Sequence, residues 1–156
     1  MNKAQTAVAL LCCTLPLAGI AEEQTLKGKL VTRIISSSTV ETPVEGHHYM
    51  AAEYGGVAIF EDGRIANKQF SLLMDNGGAE GDYQGYSTYM FENGDSITLK
   101  FTGGWGSGGS GGEYEVLSGT GAYEGVTGSG RFDAINNPWE KANLFNLTLN
   151  LKLRDS

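Results

Sequence analysis

Cysteine is nearly missing from this chain: its two copies, Cys12 and Cys13, both stand in an apolar run close to the start. Everything downstream must therefore do without a disulfide framework, a thiol nucleophile or thiolate metal ligands. Proline is scarce, at three in 156 residues, and basic residues are few, with 11 Lys and Arg against 18 Asp and Glu for a formal charge of −7. Nucleic acid and anionic membrane surfaces are held by clustered Lys and Arg, so neither is expected as a partner. After residue 21 no segment keeps apolar residues at helical spacing for more than a turn or two, which excludes a helical bundle and a helical membrane span.

The first 21 residues read as a secretory signal peptide, leaving residues 22–156 as one domain. Lys3 precedes the apolar run Ala7 to Leu17, and Gly19-Ile20-Ala21 offers small residues for a cut before Glu22. A lipidated cysteine would want small residues just before it, whereas Leu10 and Leu11 precede Cys12. The expected protein is exported, periplasmic or secreted. Without disulfides it must be held by burial and ladder hydrogen bonds.

What the chain has in abundance is glycine, 23 in 156 residues, about twice the average usage. Aromatic and β-branched residues accompany it, so the composition is that of turn-rich β-structure and not of disorder. Glycine recurs between Gly111 and Phe132, where Gly119, Gly121, Gly125, Gly128 and Gly130 stand among Tyr123, Val126 and Phe132. Such a segment can turn sharply and still lie flat against a sheet, and it reads as the corner of a curved sheet. The run Gly119-Thr120-Gly121-Ala122-Tyr123-Glu124-Gly125-Val126-Thr127-Gly128-Ser129-Gly130-Arg131-Phe132 resembles the G-T-G-x-[YF]-x-G-x-x-G-x-G-x-F signature of the allene oxide cyclase-like and dirigent-like β-barrels. That resemblance implies an eight-stranded antiparallel barrel with an axial ligand cavity. It also implies either cofactor-free cyclisation of a reactive oxylipin or steering of phenolic radical coupling, and it carries no catalytic residue onto a position of this chain.

The remaining segments read as strands. Thr25 to Ile35 is the first, ended by Ser36-Ser37-Ser38, and a loop through Pro43, Gly46, His47 and His48 follows. The two adjacent histidines lack the spacing of a metal site, so no metal is expected. Two hairpins end alike, in Phe60-Glu61-Asp62-Gly63 and Phe91-Glu92-Asn93-Gly94. For the second, a three-residue loop with Gly94 left-handed sets Tyr89 opposite Ile97 and Ser87 opposite Leu99. Tyr83, Tyr89, Phe91, Ile97, Leu99 and Phe101 then share a core face, and Tyr86, Thr88, Met90, Ser96, Thr98 and Lys100 the outer one. Ile65 to Met74 has mixed faces, with Lys68 on the apolar side beside Phe70, Leu72 and Met74, and a rim position suits that lysine. Seven glycines among residues 103–112 read as a flexible connection in which Trp105 either caps the sheet or covers an opening. No helix opener follows them, so they are not a phosphate cradle and no nucleotide cofactor is called for. Phe145, Leu147, Leu149, Leu151 and Leu153 alternate with Asn146, Thr148, Asn150 and Lys152 in the last strand, the cleanest period of two in the chain.

About eight strands joined by short turns predict an all-β, closed antiparallel barrel of calycin-like or allene oxide cyclase-like form, because closure removes both sheet edges. An interior of that size is filled by side chains or holds one small ligand. The leading functional reading is an exported barrel that binds a small, largely apolar or aromatic molecule. Tyr83, Tyr89 and Phe91 would form its wall, Trp105 and Tyr114 its mouth, and Glu53, Tyr54 and Lys68 its polar groups. Ordinary core packing is the alternative for each aromatic. A cofactor-free isomerase, cyclase or lyase of the same fold is the second reading, and an outer-membrane or structural surface barrel the third. Most strands lack the outward apolar band that lipid demands, which argues against membrane insertion. A homo-oligomer is compatible with all of them. A buried lysine or carboxylate facing the cavity would favour catalysis, a wide aromatic interior without ionisable groups a binder, and an all-apolar, narrow or filled interior a structural role.

Overall fold

The computed structural model describes residues 22–154, so the segment read as a signal peptide, with Cys12 and Cys13, lies outside the described residues. Eight strands follow in order: β1 (Glu23–Glu41), β2 (His48–Phe60), β3 (Ile65–Asn76), β4 (Gly81–Phe91), β5 (Ser96–Gly106), β6 (Gly109–Gly119), β7 (Thr127–Ile135) and β8 (Asn143–Lys152). Each pairs antiparallel with the next, and β8 returns to β1 with Leu26 opposite Leu149 and Leu30 opposite Phe145, closing the expected barrel. The tight turns 61–64 and 92–95 and the segment 120–126 gather at one end, the turn end. Loops 42–47, 77–80, 107–108 and 136–142 gather at the other, the loop end.

Alternation decides what goes inside. Leu26 and Leu30 of β1, Ile97 and Leu99 of β5, and Leu147, Leu149 and Leu151 of β8 are all buried, with Phe60, Phe91 and Tyr123, and they fill the turn half. Each such side chain contributes about 2 kcal/mol. The β4–β5 hairpin has the expected register: Phe91 N–H donates to Asp95 O at 2.9 Å, Gly94 has φ +88°, and Tyr89 faces Ile97 while Ser87 faces Leu99. The outer faces of the same strands carry Gln84, Tyr86, Thr102 and, half-exposed, Lys100.

Two expectations are corrected. Ser36-Ser37-Ser38 does not end β1; after an irregularity between Ile34 and Ser36 the strand runs on to Glu41, with Ser37 opposite Ala52 and Ser38 opposite Ala51. Ladder hydrogen bonds need only backbone, so serine does not stop a strand whose partner continues. The glycine run 103–112 is not a tether. It forms the β5–β6 hairpin, with Gly103 opposite Gly112 and Gly104 opposite Gly111. Its glycines are empty places into which rings of neighbouring strands fit: a Cβ on Gly103 would lie 2.6 Å from the Tyr83 ring, and one on Gly112 2.8 Å from the Phe132 ring.

The corner is as the glycine spacing implied. A single 3-10 turn, Gly121–Tyr123, joins β6 to β7, with Tyr123 N–H donating to Thr120 O at 3.1 Å and Val126 N–H to Tyr123 O at 3.0 Å. Gly121 has φ +59°, and a Cβ there would run into the Asp95 carboxylate, which accepts the Ala122 N–H at 3.2 Å. Gly121→Val is therefore expected to cost about 2 kcal/mol or more, from left-handed backbone strain plus the clash. A thermal melt that matches the parent chain would show that the corner tolerates a side chain.

Candidate functional site

The interior is not filled throughout. Toward the loop end the barrel holds a cavity of about 360 Å³, walled by Tyr54, Phe70, Tyr83, Phe101, Tyr114 and Phe132, with Trp105, Ser110, Asn137 and Asn143 toward its mouth. Leu30 and Thr32 of β1 and Leu72 and Met74 of β3 complete its lining. The rings brace one another: Tyr54 stacks on Phe70 with centroids 4.6 Å apart, and Tyr114 packs on Phe132 at 4.8 Å. The Tyr83 hydroxyl lies 3.0 Å from Ser110 Oγ and donates to Gly111 O at 3.0 Å, which ties β4 to the glycine-rich hairpin. Burial raises its pKa.

Lys68 forms the floor. Its place on β3 is inward, between Ala66 and Phe70, and only 2% of it is exposed. Nζ donates to Tyr89 Oη at 2.7 Å and to Tyr114 Oη at 2.5 Å, while Tyr89 Oη donates to Tyr114 Oη at 3.3 Å. The amine also lies 4.2 Å from the Tyr89 ring centroid, 4.5 Å from that of Tyr114 and 5.2 Å from that of Phe70. Ring faces and phenol oxygens offset part of the cost of desolvating a cation. No carboxylate lines the cavity. Glu53, Asp82, Glu113, Glu115 and Asp133, on strands that wall it, are all exposed. Burial thus pushes the Lys68 ammonium well below the usual lysine range, and pushes the Tyr89 and Tyr114 phenols up. The result is an amine held among neutral phenols in an aromatic box. Two further polar atoms of the lining, Thr32 Oγ1 and Trp105 Nε1, are buried and find no hydrogen-bond partner among the described residues.

Of the residues that the sequence put forward, Tyr54, Lys68, Tyr83, Trp105 and Tyr114 meet at this cavity. Tyr89 lies beneath them and reaches the site through its hydroxyl on Lys68. Lys68 is corrected from rim to floor: a rim lysine needs its head in water, and this one has only phenols and rings around it. Phe91 is corrected too. It belongs to the closed half, stacked against Tyr123 at 5.0 Å and Phe60 at 5.8 Å. Glu53 is on the outer face, where it accepts a hydrogen bond from Ser36 Oγ at 3.2 Å. Neighbours on a strand face opposite ways, so Tyr54 inside requires Glu53 outside.

Sequence reasoning passed over Phe70, Phe132 and Thr32. Phe70 and Thr32 could have been found by counting in twos, from Lys68 and from Leu30, and Phe132 closes the glycine-rich signature. Asn137 and Asn143 flank the β7–β8 loop, where no period pointed to them. His47 stays at the loop end, with Nδ1 3.4 Å from the Asp75 carboxylate. Among the described residues no group of three His, Cys, Asp or Glu is placed to hold a metal ion.

No family model matches the chain, and no curated protein matches it by sequence. By fold it is similar to two pterocarpan synthase dirigent proteins. The first gives a TM-score of 0.59 at 12% identity, covering 97% of this chain and 100% of the other. The second gives 0.57 at 14% identity, covering 86% and 97%. A protein of unknown function from the DUF3224 family of Shewanella oneidensis MR-1 gives 0.53 at 14% identity, covering 86% and 100%. At such identities the likeness is one of fold, and at that level the dirigent-like expectation is met.

Lys68 also sets a pH dependence of stability. Its folded pKa lies below the unfolded value, so between the two the unfolded chain holds a proton that the folded chain has lost, and stability rises with pH. Above about pH 10 the sign reverses, because unfolded tyrosines ionise while the buried phenols resist. Lys68→Met keeps the stem and removes the amine, and it is expected to leave the barrel at least as stable near neutral pH. Between the folded and the unfolded pKa of Lys68 the parent chain should gain on the variant as pH rises, by at most about 1.4 kcal/mol per pH unit in urea unfolding. Parallel stability curves would mean that the amine keeps its charge in the fold.

Proposed function

We propose that this chain is an exported single-domain barrel that binds one small, largely apolar or aromatic organic molecule in the loop-end cavity, with the molecule's polar group directed at Lys68. The observation that carries this reading is a cavity of about 360 Å³ walled by aromatic rings. Binding sites for small molecules have that character: concave, mostly apolar, with a few polar groups that fix orientation. A structural barrel would have its interior filled. A lipid-embedded barrel would put its apolar band outside, whereas β8 points Asn146, Asn150 and Lys152 outward and its leucines in. Export rests on the character of the first 21 residues.

Catalysis without a cofactor, as an isomerase, cyclase or lyase, is the second reading, and Lys68 is what favours it. An amine among protonated phenols can give or take a proton at an atom of a bound substrate, and rigid aromatic walls can hold that substrate in a productive shape. Two of the proteins that share the fold are named as pterocarpan synthases, which agrees with a reactive aromatic substrate in such a barrel.

Binding is tested by the emission of Trp105 in a Trp139→Phe background, titrated with the neutral probe naphthalene-2-carboxamide. A saturable change is expected, weakened about tenfold or more by Thr32→Phe, which puts a ring into the cavity. The same response from both proteins, with Thr32→Phe folded by circular dichroism, would place the probe on the surface and refute the reading.

A further inference from the structure

We infer that the natural ligand is an organic acid, whose carboxylate or phenolate supplies at the cavity floor the negative charge that Lys68 finds nowhere among the described residues. The inference rests on the binding reading above and names its ligand class. Its starting point is a count of protons. In the free amine the two N–H bonds and the lone pair can all be met by Tyr89 Oη and Tyr114 Oη. Once protonated, Lys68 has three N–H bonds, two of them taken by those hydroxyls, and the third is left for the cavity that Lys68 lines. Tyr89 donates its own proton to Tyr114, so in the protonated state the Tyr114 hydroxyl proton has no acceptor in this triangle. Thr32 Oγ1, buried to 2% exposure on the same cavity, is a third group without a partner. An acceptor at the floor therefore meets several unspent donors and no competing anion.

The surroundings of Lys68 are neutral on every side. β2 contributes Tyr54, β4 Tyr83 and β6 Tyr114 to the lining, and besides Lys68 itself these phenols are the only titratable groups that line the cavity among the described residues, with Tyr89 of β4 reaching Lys68 from beneath. The lining from β1, β5, β7 and β8 is apolar or uncharged. A neutral ligand with a carbonyl could accept a hydrogen bond but offers no charge to hold a proton on the amine, which then stays unprotonated. An acid does both, because a hydrogen-bonded ion pair is the condition under which a buried charge is tolerated. Aromatic walls and an anion-seeking floor together describe an aryl or polycyclic carboxylic acid, or an acidic phenol, entering tail outward.

Binding then moves one proton. The carboxylate arrives ionised, the free amine of Lys68 takes a proton from solvent, and the complex holds a carboxylate against an ammonium; no other bond is made or broken. Above the point where the free protein loses that proton, affinity for the acid falls about tenfold per pH unit, while that for a neutral isostere stays level.

Isothermal titration at pH 8 of the full mature chain with naphthalene-2-carboxylate and with naphthalene-2-carboxamide, each in phosphate and in Tris, tests this. The carboxylate is expected to bind about tenfold or more tightly than the carboxamide. Its heat should differ between the buffers in the sense that marks net proton uptake, and the carboxamide should show no buffer dependence. In Lys68→Met the proton uptake disappears and the carboxylate loses its advantage; the proton count itself needs no variant, so a poorly folding protein would not blunt the test. Equal binding of both compounds with no proton moved would overturn the acid and leave the cavity reading standing. Failure of both compounds to bind would overturn the two together.

Discussion

The width of an eight-stranded barrel is set by its closure, and side chains have to fit a bore they cannot stretch. This chain meets that constraint by laying rings over glycines. The ring of Phe101 lies where a Cβ on Gly85 would be, 2.7 Å away, and Trp105 stands against Gly81 in the same manner. With ordinary residues at those positions the rings would be forced outward or the strands apart. The glycines of β4, β5 and β6 are thus a packing device, and the sheet tolerates them because interior rings cover the backbone they expose.

The two halves of the bore follow from what each strand offers inward. Toward the turn end every inward position of β8 and β5 is leucine, isoleucine or phenylalanine, and Phe60, Phe91 and Tyr123 close the stack. Toward the loop end the inward residues include Thr32, Lys68, Ser110 and Ala134, which are smaller or stop short of the axis. The rings there line the wall instead of meeting at the centre. The cavity is what remains when large residues stand on one side of the bore and short ones on the other.

Much of this was legible in sequence, and the exceptions share a cause. The Asn93-Gly94 turn and the period-two pattern beside it specify one register, since a slip by one residue would turn Tyr89 and Ile97 to solvent. The leucine alternation of β8 and the glycine corner at 119–132 were equally plain, for each is a local pattern with one geometric solution. Lys68, Glu53 and the glycine run were misread because their roles depend on strands far away. A lysine is read as a surface residue until Tyr89 and Tyr114 are seen to converge on it, and their hydroxyls come from positions 21 and 46 residues along the chain. The run from Gly103 looks empty until Tyr83 and Phe132 are placed over it. Glu53 is different, because the alternation that puts Tyr54 inside was available and sufficed to exclude it.

Lys68 is the one place where local rules and fold disagree, and the disagreement is informative. Every inward neighbour along β3 is apolar, so a leucine or methionine at position 68 would suit the barrel better as packing. The amine loses hydration and gains two phenols and three ring faces, a partial return without an opposite charge. The two phenols are themselves costly to bury, and they aim at the amine instead of at backbone carbonyls. A structural cluster of polar groups would close on itself, with each donor spent. Once its amine is protonated, this triangle leaves an N–H and an O–H over, at the bottom of a cavity open to small molecules, and an acceptor from outside the chain would meet both.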